Sequence, residues 1–453
     1  MSQPTLSEAA LSTLRPELQP LVRHGELSPR IVHFGLGAFH RAHQCVYTEC
    51  AGGGWGIAAV ANTNAALVRA LRRQDCYFSV LERRPDAAVA AVNGALAEAL
   101  LSGDDHARVQ ELLADPQVSL VTLTITEKGY SPDAAPFQHI ASSLAARYRG
   151  HRKPLTIISC DNMAANGART RETALRAVAG LDAGPGLASW VERACAFPDT
   201  LVDRIVPATT EADKALCQAA LGVADDAPAV AEPFRQWVIQ DCFATERPAW
   251  EVAGAEFTSD VAPHQLAKLR LLNGSHSALA YLGLAAGLQT IDAAMNTDWG
   301  PGIVRGICAE AGPALPAGGP DPAQYAKTLV RRFQNPAMFH QLRQIAADGS
   351  QKVPYRWLDT MRARPGATPT HEAALAAWVW ACRPETAAAY GIADPLAEEL
   401  AACWADATVA QALARLLGLL GYADLATPSL QDRITELVDG LEQQHGRPLP
   451  ITR

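Results

Sequence analysis

Short apolar runs alternate with helix-like stretches through the first half of the chain. Four of these runs, at residues 31–34, 55–61, 118–125 and 155–159, are nearly continuous in apolar and β-branched residues. Strands that are buried on both faces of a parallel sheet have this pattern, whereas half-exposed strands alternate polar and apolar residues. Strands separated by helices indicate βαβ units and a doubly wound α/β sheet.

The second half of the chain has a different pattern. From about residue 261 it is rich in Ala and Leu, and residues 371–382 and 394–405 fit helices of ten or more residues. Residues 312–322 form a Gly/Pro-rich break. We therefore predict a Rossmann-like dinucleotide-binding domain at residues 1–260 and a mostly α-helical substrate and catalytic domain at residues 261–453.

Composition narrows the class of protein. Hydrophobic residues make up 49% and charged residues 19% of the 453 residues, which is typical of a folded protein. The net charge of −8, without a basic run, argues against nucleic acid as a partner but permits a small anionic substrate. The oligomeric state is left open.

The chain also lacks the usual marks of export. The N-terminus has no signal-peptide pattern, and the longest uncharged stretch, residues 271–291, is too polar for a membrane span. The 10 cysteines are scattered without a CxxC pair, which is typical of buried thiols in a reducing compartment. We expect a cytoplasmic protein that does not bind a membrane.

A glycine-containing loop follows the first predicted strand. In residues 34–41 (FGLGAFHR), Gly35 can make the tight turn and Gly37 can let the backbone approach a pyrophosphate, with a helix beginning there. The third glycine of the usual GxGxxG pattern is replaced by His40, so an ordinary strand–turn–helix remains the alternative. The candidate cofactor-binding residues here are Gly35, Gly37, Ala38, Phe39, His40 and Arg41.

The end of the second strand bears on the choice of cofactor. An acidic residue at this place binds the adenosine ribose of NAD, but here the chain has Asn62, Thr63 and Asn64. Neutral residues do not repel a 2′-phosphate, and the next Arg downstream is Arg69. NAD is favoured, with Asn62 as a contact, and NADP remains possible.

Three polar residues, Lys268, Asn273 and His276, stand out in a largely apolar helical stretch at residues 268–276 (KLRLLNGSH). On an α-helix, Asn273 and His276 would be neighbours, whereas Lys268 would lie about 140° around the helix from Asn273 and converge only loosely. Polar groups in an apolar helix need partners. They can form either a satisfied buried cluster or a site of chemistry.

Seven ordered blocks give the chain a family resemblance. It resembles the mannitol dehydrogenase family, the long-chain polyol dehydrogenases that also include fructuronate reductases. The blocks are residues 35–44 (GLGAFHRAHQ), 124–130 (TITEKGY), 159–167 (SCDNMAANG), 201–207 (LVDRIVP), 232–239 (EPFRQWVI), 268–276 (KLRLLNGSH) and 348–352 (DGSQK). The resemblance implies zinc-independent, nicotinamide-dependent oxidation of a secondary alcohol in an open-chain polyol or sugar acid.

The resemblance also implies a role for each matching residue. Lys268 resembles the general base, Asn162 and Asn273 the amide pair that stabilises the developing negative charge on the substrate oxygen, and His276 a positioning residue. Three other matching residues are implied to line or serve the substrate site, with the last helping proton exchange: Asp203, Lys352 and Glu127.

A lysine base is chemically reasonable in this sequence. A secondary alcohol needs a metal or a base to lose its proton, and the chain lacks the Cys/His spacing of a zinc alcohol dehydrogenase. The spacing of His40 and His43 could suggest a metal pair, but both belong to the nucleotide-loop block, so no metal is expected. A free Lys titrates near 10.4, and burial among leucines would lower the pKa of Lys268 in the required direction.

The substrate is less strongly indicated. Polyol-oxidising relatives often have Gly at the position of Lys128, whereas fructuronate-type relatives resemble Lys128, His340 and residues 344–352. An additional cation would suit a carboxylate. We expect D-mannonate/D-fructuronate, with D-mannitol/D-fructose, D-arabinitol or a related substrate as alternatives. The stretch after Tyr130 is shorter than in longer relatives and could remodel the rim of the cleft.

Two other classes of protein compete with this interpretation. A nucleotide-binding sensor that has lost turnover would keep the cofactor loop, but all of the expected catalytic residues are present. A zinc polyol dehydrogenase would need a stoichiometric metal.

Overall fold

The computed structural model describes residues 4–181, 186–364 and 366–443. The chain divides into two compact units, Met1–Ala262 and Pro263–Arg453.

All strands of the described residues lie in the first unit. They are β1 (Ser28–Phe34), β2 (Trp55–Ala61), β3 (Phe78–Arg83), β4 (Ala88–Asn93), β5 (Leu96–Leu101), β6 (Leu120–Leu123), β7 (Thr156–Ser159), β8 (Thr200–Asp203), β9 (Ala229–Ala231), β10 (Gln236–Gln240) and β11 (Glu256–Thr258). Each of the four apolar runs overlaps one strand, namely β1, β2, β6 or β7. Those four strand predictions are therefore confirmed.

The central sheet has five parallel strands in the order β5-β2-β1-β6-β7. From β1 the chain moves outward to β2 and β5, then crosses to β6 on the other side of β1. The direction of strand order therefore reverses between β1 and β6, where parallel α/β sheets bind ligands at the carboxyl ends of their strands. The Rossmann-like α/β prediction is confirmed.

Helices and two small sheets surround the central sheet. The sheet β11-β10-β8 and the sheet β4-β3-β9 each mix parallel and antiparallel pairs. The helices of the first unit are α1 (Ala38–Ala42), α2 (Gln44–Ala51), α3 (Ala65–Arg73), α4 (His106–Ala114), α5 (Ala135–Arg149), α6 (Asn166–Ala179), α7 (Leu187–Ala194) and α8 (Glu211–Leu221).

The second unit is helical in its described part, as predicted. Its helices, the first of which begins at the division, are α9 (Ala262–Ala267), α10 (Gly274–Ala285), α11 (Ile291–Met295), α12 (Gly300–Ala311), α13 (Pro322–Phe333), α14 (Leu342–Ala346), α15 (Gly349–Val353), α16 (Asp359–Ala363), α17 (Pro369–Ala381), α18 (Pro384–Tyr390), α19 (Ala397–Ala402), α20 (Val409–Leu419) and α21 (Pro428–Gln443). Two π-helical turns, Lys268–Asn273 and Pro354–Leu358, join α9 to α10 and α15 to α16.

The helix predicted at residues 394–405 is shorter than expected, because α19 covers only Ala397–Ala402. The carboxylate of Asp394 accepts hydrogen bonds from the backbone N–H of Leu396 (2.9 Å) and from the N–H and hydroxyl of Ser350. An acidic side chain that bonds to the backbone two residues on stabilises a turn in place of a helix. The helix predicted at residues 371–382 is confirmed by α17.

Helix α10 lies at the centre of the second unit. Ten of its twelve residues are buried, and α12, α14 and α17 pack around it. The hydroxyl of Tyr281 donates to the carbonyl oxygen of Ala346 (2.6 Å), which ties α10 to α14. Although α10 is apolar, neither it nor any other described helix has the length and hydropathy of a membrane span.

One buried amide connects β7 to β8 in the first unit. The side chain of Asn166 accepts from the backbone N–H of Thr200 (2.9 Å) and donates to the carbonyl oxygens of Asp161 (3.1 Å) and Thr200 (3.2 Å). It therefore fixes the loop that leaves the carboxyl end of β7 against the start of β8. Asn162 lies in that loop, and Asp203 is the last residue of β8.

We predict that Asn166→Ala destabilises the protein by at least about 2 kcal/mol, because it leaves the buried N–H of Thr200 without its acceptor. Asn64→Ala is the matched control, since this exposed cap of α3 accepts one hydrogen bond from Leu67 and its loss costs about 1 kcal/mol. Chemical unfolding of both variants measures the difference. Equal losses of stability would contradict the bridging role of Asn166.

Candidate active site

The predicted nucleotide loop lies at the carboxyl end of β1, where the strand order reverses. Gly35 has φ +109°, and a Cβ placed there would lie 2.0 Å from the carbonyl oxygen of Thr124. Only glycine lets the chain leave β1 so close to the end of β6. A Cβ on Gly37 would have only the carbonyl oxygen of Gly35 within 4 Å, at 3.6 Å. The space beside the backbone of Gly37 is therefore open where a side chain would stand.

The helix predicted after this loop is broken. Helix α1 has five residues and ends at Ala42, because the backbone angles of His43 (φ −125°, ψ −83°) are not helical, and α2 follows. A helix begins directly after Gly37, as expected, but its five residues present only a short dipole to a pyrophosphate. The glycine geometry and the strand ends, together with the half-buried Ala38 and Phe39, remain as the features that fit a dinucleotide.

Two of the predicted cofactor-binding side chains point into the protein. The ring of His40 is buried and stacks on that of His33, with 3.4 Å between the ring centroids, and burial holds its pKa well below 6.5. The buried guanidinium of Arg41 donates to the carbonyl oxygens of Gly37 (3.2 Å) and Ala227. The side chains of His40 and Arg41 thus pack in the protein interior beneath the loop and do not face a bound cofactor.

The end of β2 carries neutral groups. Asn62 is exposed and directly follows β2, and Asn64 caps α3 by accepting from the N–H of Leu67 (3.1 Å). Arg69 is exposed one turn into α3. Residues 62–64 therefore offer only neutral side chains at the end of β2.

A single carboxylate, that of Asp161, joins the ends of β6 and β7. It accepts hydrogen bonds from the N–H groups of Ile125 (3.0 Å) and Thr126 (2.9 Å) and from the hydroxyl of Tyr130 (2.8 Å). Sequence reasoning did not select Asp161, although it lies inside the block at residues 159–167. The sequence feature that could have identified Asp161 is an acidic residue two positions after the end of β7.

This connection determines where three predicted site residues lie. After Thr126, at φ +63°, the chain makes a 3₁₀ turn, Glu127–Gly129, whose Glu127 and Lys128 side chains are exposed. Asn162 is also exposed and immediately follows Asp161. The structure therefore brings Glu127, Lys128 and Asn162 to the sheet edge that carries the nucleotide loop.

Asp203 is the last residue of β8 and is buried. Its strand pairs with β10, where Asp203 lies opposite Gln236. Its negative charge acts on His43 and raises the pKa of that imidazole, although burial outweighs this and lowers the pKa to about 3. Asp203 is thus close to the helical break after the nucleotide loop.

In the second unit, the polar motif lies on a π-helical turn. We expected an α-helix at residues 268–276, but Lys268–Asn273 is π-helical and only Gly274 onward is α-helical. A π-helix bonds residue i to residue i+5 and has a wider turn. Lys268 and Asn273, five residues apart, therefore align more closely than an α-helix allows. The Lys268 side chain is largely buried.

His276 follows one turn later. Its ring stacks on that of Phe333 (4.9 Å between centroids) and lies 5.4 Å from that of His340. Burial, followed by the positive charges of His340 and Arg356, holds the pKa of His276 well below 6.5, so the imidazole is neutral. Its Nε2 is buried and has no hydrogen-bond partner among the described residues. A bound substrate hydroxyl would supply one.

Lys352 and His340 lie on neighbouring segments of the same unit. The Nζ of Lys352 donates to the carbonyl oxygen of Ala347 (2.5 Å) and lies 3.6 Å from the carboxylate of Asp348. Burial and then the charge of Arg356 lower the pKa of Lys352. The structure therefore groups Lys352, His340 and His276.

The second π-helical turn, Pro354–Leu358, supports the first. Nη1 of Arg356 donates to the carbonyl oxygen of Asn273 (3.2 Å) and to the hydroxyl of Ser277 (2.6 Å). The indole N–H of Trp357 donates to the carbonyl oxygen of Gly274 (3.0 Å). Sequence reasoning missed Arg356, whose signal was a charge in an apolar run shortly after the block at residues 348–352.

Metal ligands do not gather in the described part of the chain. Residues 4–181, 186–364 and 366–443 contain no group of three His, Cys, Asp or Glu side chains placed to hold a metal ion. The Nε2–H of His43 donates to the carbonyl oxygen of Gln236 (2.9 Å), while His40 faces Cys45. The ten cysteines, all within the described residues, are free thiols.

A parallel sheet with a glycine loop at its switch point, followed by a helical unit that bears a lysine–amide–imidazole set, defines a Rossmann-type dehydrogenase. Family models agree: the mannitol dehydrogenase Rossmann domain matches residues 29–252, and the mannitol dehydrogenase C-terminal domain matches residues 260–442. The chain belongs to the mannitol dehydrogenase family.

Individual relatives give the same result. The chain is 37% identical to the D-mannonate oxidoreductase of Escherichia coli (strain K12), over 90% of this chain and 92% of the relative. It is 34% identical to the mannitol 2-dehydrogenase of Aspergillus terreus, over 72% of each chain.

Solved structures agree as well. A substrate-free D-sorbitol dehydrogenase superposes with a TM-score of 0.87 at 28% identity, covering 98% of this chain and 99% of that one. The Pseudomonas fluorescens mannitol 2-dehydrogenase, in ternary complex with NAD and D-mannitol, gives 0.75 at 32% identity and covers 98% of each chain. The protein is therefore an oxidoreductase that uses a nicotinamide-type cofactor on the CH–OH group of a small polyol or sugar acid.

We predict that Gly35→Ala and Gly37→Ala fail in different ways. Gly35→Ala places a Cβ against the backbone of Thr124 at positive φ, so it lowers stability and abolishes NADH binding. Gly37→Ala meets no such obstacle, so it keeps the stability and weakens NADH binding, because the Cβ occupies the space for phosphate.

Thermal unfolding and NADH fluorescence titration measure the two effects. Gly103→Ala is the control, since a Cβ there has no atom within 4 Å. If Gly37→Ala bound NADH as tightly as Gly103→Ala, the loop would not be the phosphate site.

Proposed function

We propose that the protein interconverts D-mannonate and D-fructuronate with NAD(H) as the cofactor. The observation that carries the proposal is the 37% identity to a D-mannonate oxidoreductase over nearly the whole chain. A second candidate is mannitol 2-dehydrogenase activity on D-mannitol and D-fructose. The Aspergillus terreus relative and the Pseudomonas fluorescens structure favour it. D-arabinitol or a related polyol remains a further alternative.

The chain has a suitable place for the dinucleotide. The residues proposed to hold it are the backbone at Gly35, Gly37, Ala38 and Phe39, with Asn62 at the ribose. When bound, the nicotinamide accepts hydride from the alcohol carbon or returns it to the ketone. The neutral amide of Asn62 can hydrogen-bond ribose hydroxyls, and residues 62–64 offer no cation to a 2′-phosphate, which favours NAD over NADP.

Lys268 is proposed to move the proton. In the oxidation its unprotonated Nζ accepts the proton of the substrate hydroxyl, and in the reduction the ammonium returns it. The side chain is largely buried on the π-helical turn, and burial in itself disfavours the charged form of an amine.

Amide and imidazole groups are proposed to hold the reacting oxygen. The side-chain N–H groups of Asn162 and Asn273 donate to it, so that negative charge developing on it is stabilised without another titrating group. The neutral His276, whose Nε2 lacks a protein partner in the described residues, hydrogen-bonds the substrate beside that oxygen. Glu127 serves proton exchange, and Asp203, Lys352, His340 and Lys128 contact the rest of the substrate.

A reduction assay tests the substrate assignment. We expect NADH oxidation with D-fructuronate to have a kcat/KM at least about tenfold above that with D-fructose, since an acid-binding site leaves its cations unpaired with a neutral ketose. NADPH is run in parallel and is expected to be the poorer cofactor. A preference for D-fructose would replace the proposal with the mannitol 2-dehydrogenase alternative.

We predict that Lys268→Met lowers kcat by about 10³-fold in both directions, because removal of a general base removes this order of rate enhancement. The Kd of NADH changes little. Lys327→Met, at an exposed position of α13, is the matched control.

The pH profile of the wild-type enzyme shows in which direction the protonation of the base changes kcat/KM. Oxidation requires the unprotonated amine, so its kcat/KM rises with pH, whereas that of the reduction falls through the same ionisation. If kcat/KM of Lys268→Met still changed with pH through the same ionisation, another group would be the base.

A further inference from the structure

Arg356 has an unusual environment for a half-buried cation. Its Nη1 donates to two neutral acceptors, the carbonyl oxygen of Asn273 and the hydroxyl of Ser277. Its Nε and Nη2 atoms donate to no described residue. Neither atom is among the fully buried polar atoms that lack a partner, so both retain some accessible surface. The guanidinium is thus anchored at one nitrogen beside a proposed catalytic residue, while its other edge reaches accessible space.

The groups around Arg356 add positive charge. Lys352 lies four residues earlier, and the charge of Arg356 lowers the pKa of Lys352 and of His276. Burial lowers the pKa of Arg356 itself to about 10, and the opposing influence comes from the phenol of Tyr281, not from a carboxylate. Asp348 and Asp394 act on Lys352, and Asp292 acts on His340.

This arrangement suits an anion. Arg356 and Lys352 are both partly buried and the charge of Arg356 acts on Lys352, so a carboxylate bound by the free edge of the guanidinium would offset the positive charge and the loss of hydration there. A guanidinium offers two parallel N–H groups to a carboxylate, which an ammonium does not. Lys128, by contrast, is exposed on a turn in the first unit, where water competes for its charge.

We propose that Arg356, assisted by Lys352, binds the carboxylate of a sugar-acid substrate and thereby selects acids over neutral ketoses. The inference rests on the proposed function, because it takes Asn273 and His276 as the place of reaction. It assigns to the second π-helical turn a specificity role that the exposed Lys128 was expected to have.

The test is Arg356→Gln, assayed with D-fructuronate and D-fructose. Loss of a charge-assisted pair raises the KM for D-fructuronate by about 10- to 100-fold, while the kcat for that substrate and the KM for D-fructose change by less than about threefold. Arg356→Lys keeps the positive charge but loses the two parallel N–H groups. It therefore raises the KM for D-fructuronate by less than Arg356→Gln does. It also provides the test if Arg356→Gln does not fold.

Two controls separate this role from support of the helix. Ser277→Ala removes one hydrogen bond of Arg356 without removing its charge, so the ratio of the two KM values stays unchanged. Lys128→Gln tests the rival residue: because the Lys128 side chain is exposed to water, we expect it to raise the KM for D-fructuronate much less than Arg356→Gln does.

Two results would overturn the inference. A fall of kcat with both substrates at unchanged KM would mean that Arg356 only positions Asn273, and a raised KM in Lys128→Gln alone would assign the carboxylate to the first unit. A wild-type enzyme that reduces D-fructose but not D-fructuronate would contradict the proposed function itself, before any variant is made.

Discussion

The π-helical turn Lys268–Asn273 is the constraint on which the chemistry of the second unit depends. A lysine and an amide five residues apart diverge on an α-helix, and the wider turn aligns them. Such a turn has poorer hydrogen-bond geometry and needs support from outside. Arg356 and Trp357 supply it from the second π-helical turn by bonding the carbonyl oxygens of Asn273 and Gly274. The two turns form one structural unit, and the cation that supports the backbone also faces accessible space beside it.

In the first unit the main constraint is that exposed side chains must be held in place at the edge of the sheet. Parallel strands bring their carboxyl ends together, but loops that leave these ends are mobile unless they are tied down. The close approach of Gly35 to Thr124 and the Asp161 carboxylate provide those ties. Glu127, Lys128 and Asn162 therefore remain exposed while the backbone that carries them is held in place.

The sequence was sufficient for the elements defined by long apolar patterns. The strands β1, β2, β6 and β7 and the helix α17 follow from hydrophobic runs, because burial alone determines them. It was insufficient where single side chains redirect the backbone. Asp394 shortens α19 through a local hydrogen bond, the non-helical backbone of His43 ends α1, and the π-helical turn has no distinct hydrophobic period. Arg356 and Asp161 escaped detection because their importance comes from partners 83 and 36 residues away in the chain.

A crystal structure of the complex with NADH and D-mannonate tests the central claim most directly, namely that Lys268 exchanges a proton with the reacting oxygen while the neighbouring amide and imidazole hold it. The account predicts a distance of about 2.6–3.2 Å between Lys268 Nζ and that oxygen, with Asn273 in hydrogen-bonding contact with the same atom. A reacting oxygen bonded to other side chains, with Lys268 Nζ out of hydrogen-bond reach, would contradict it.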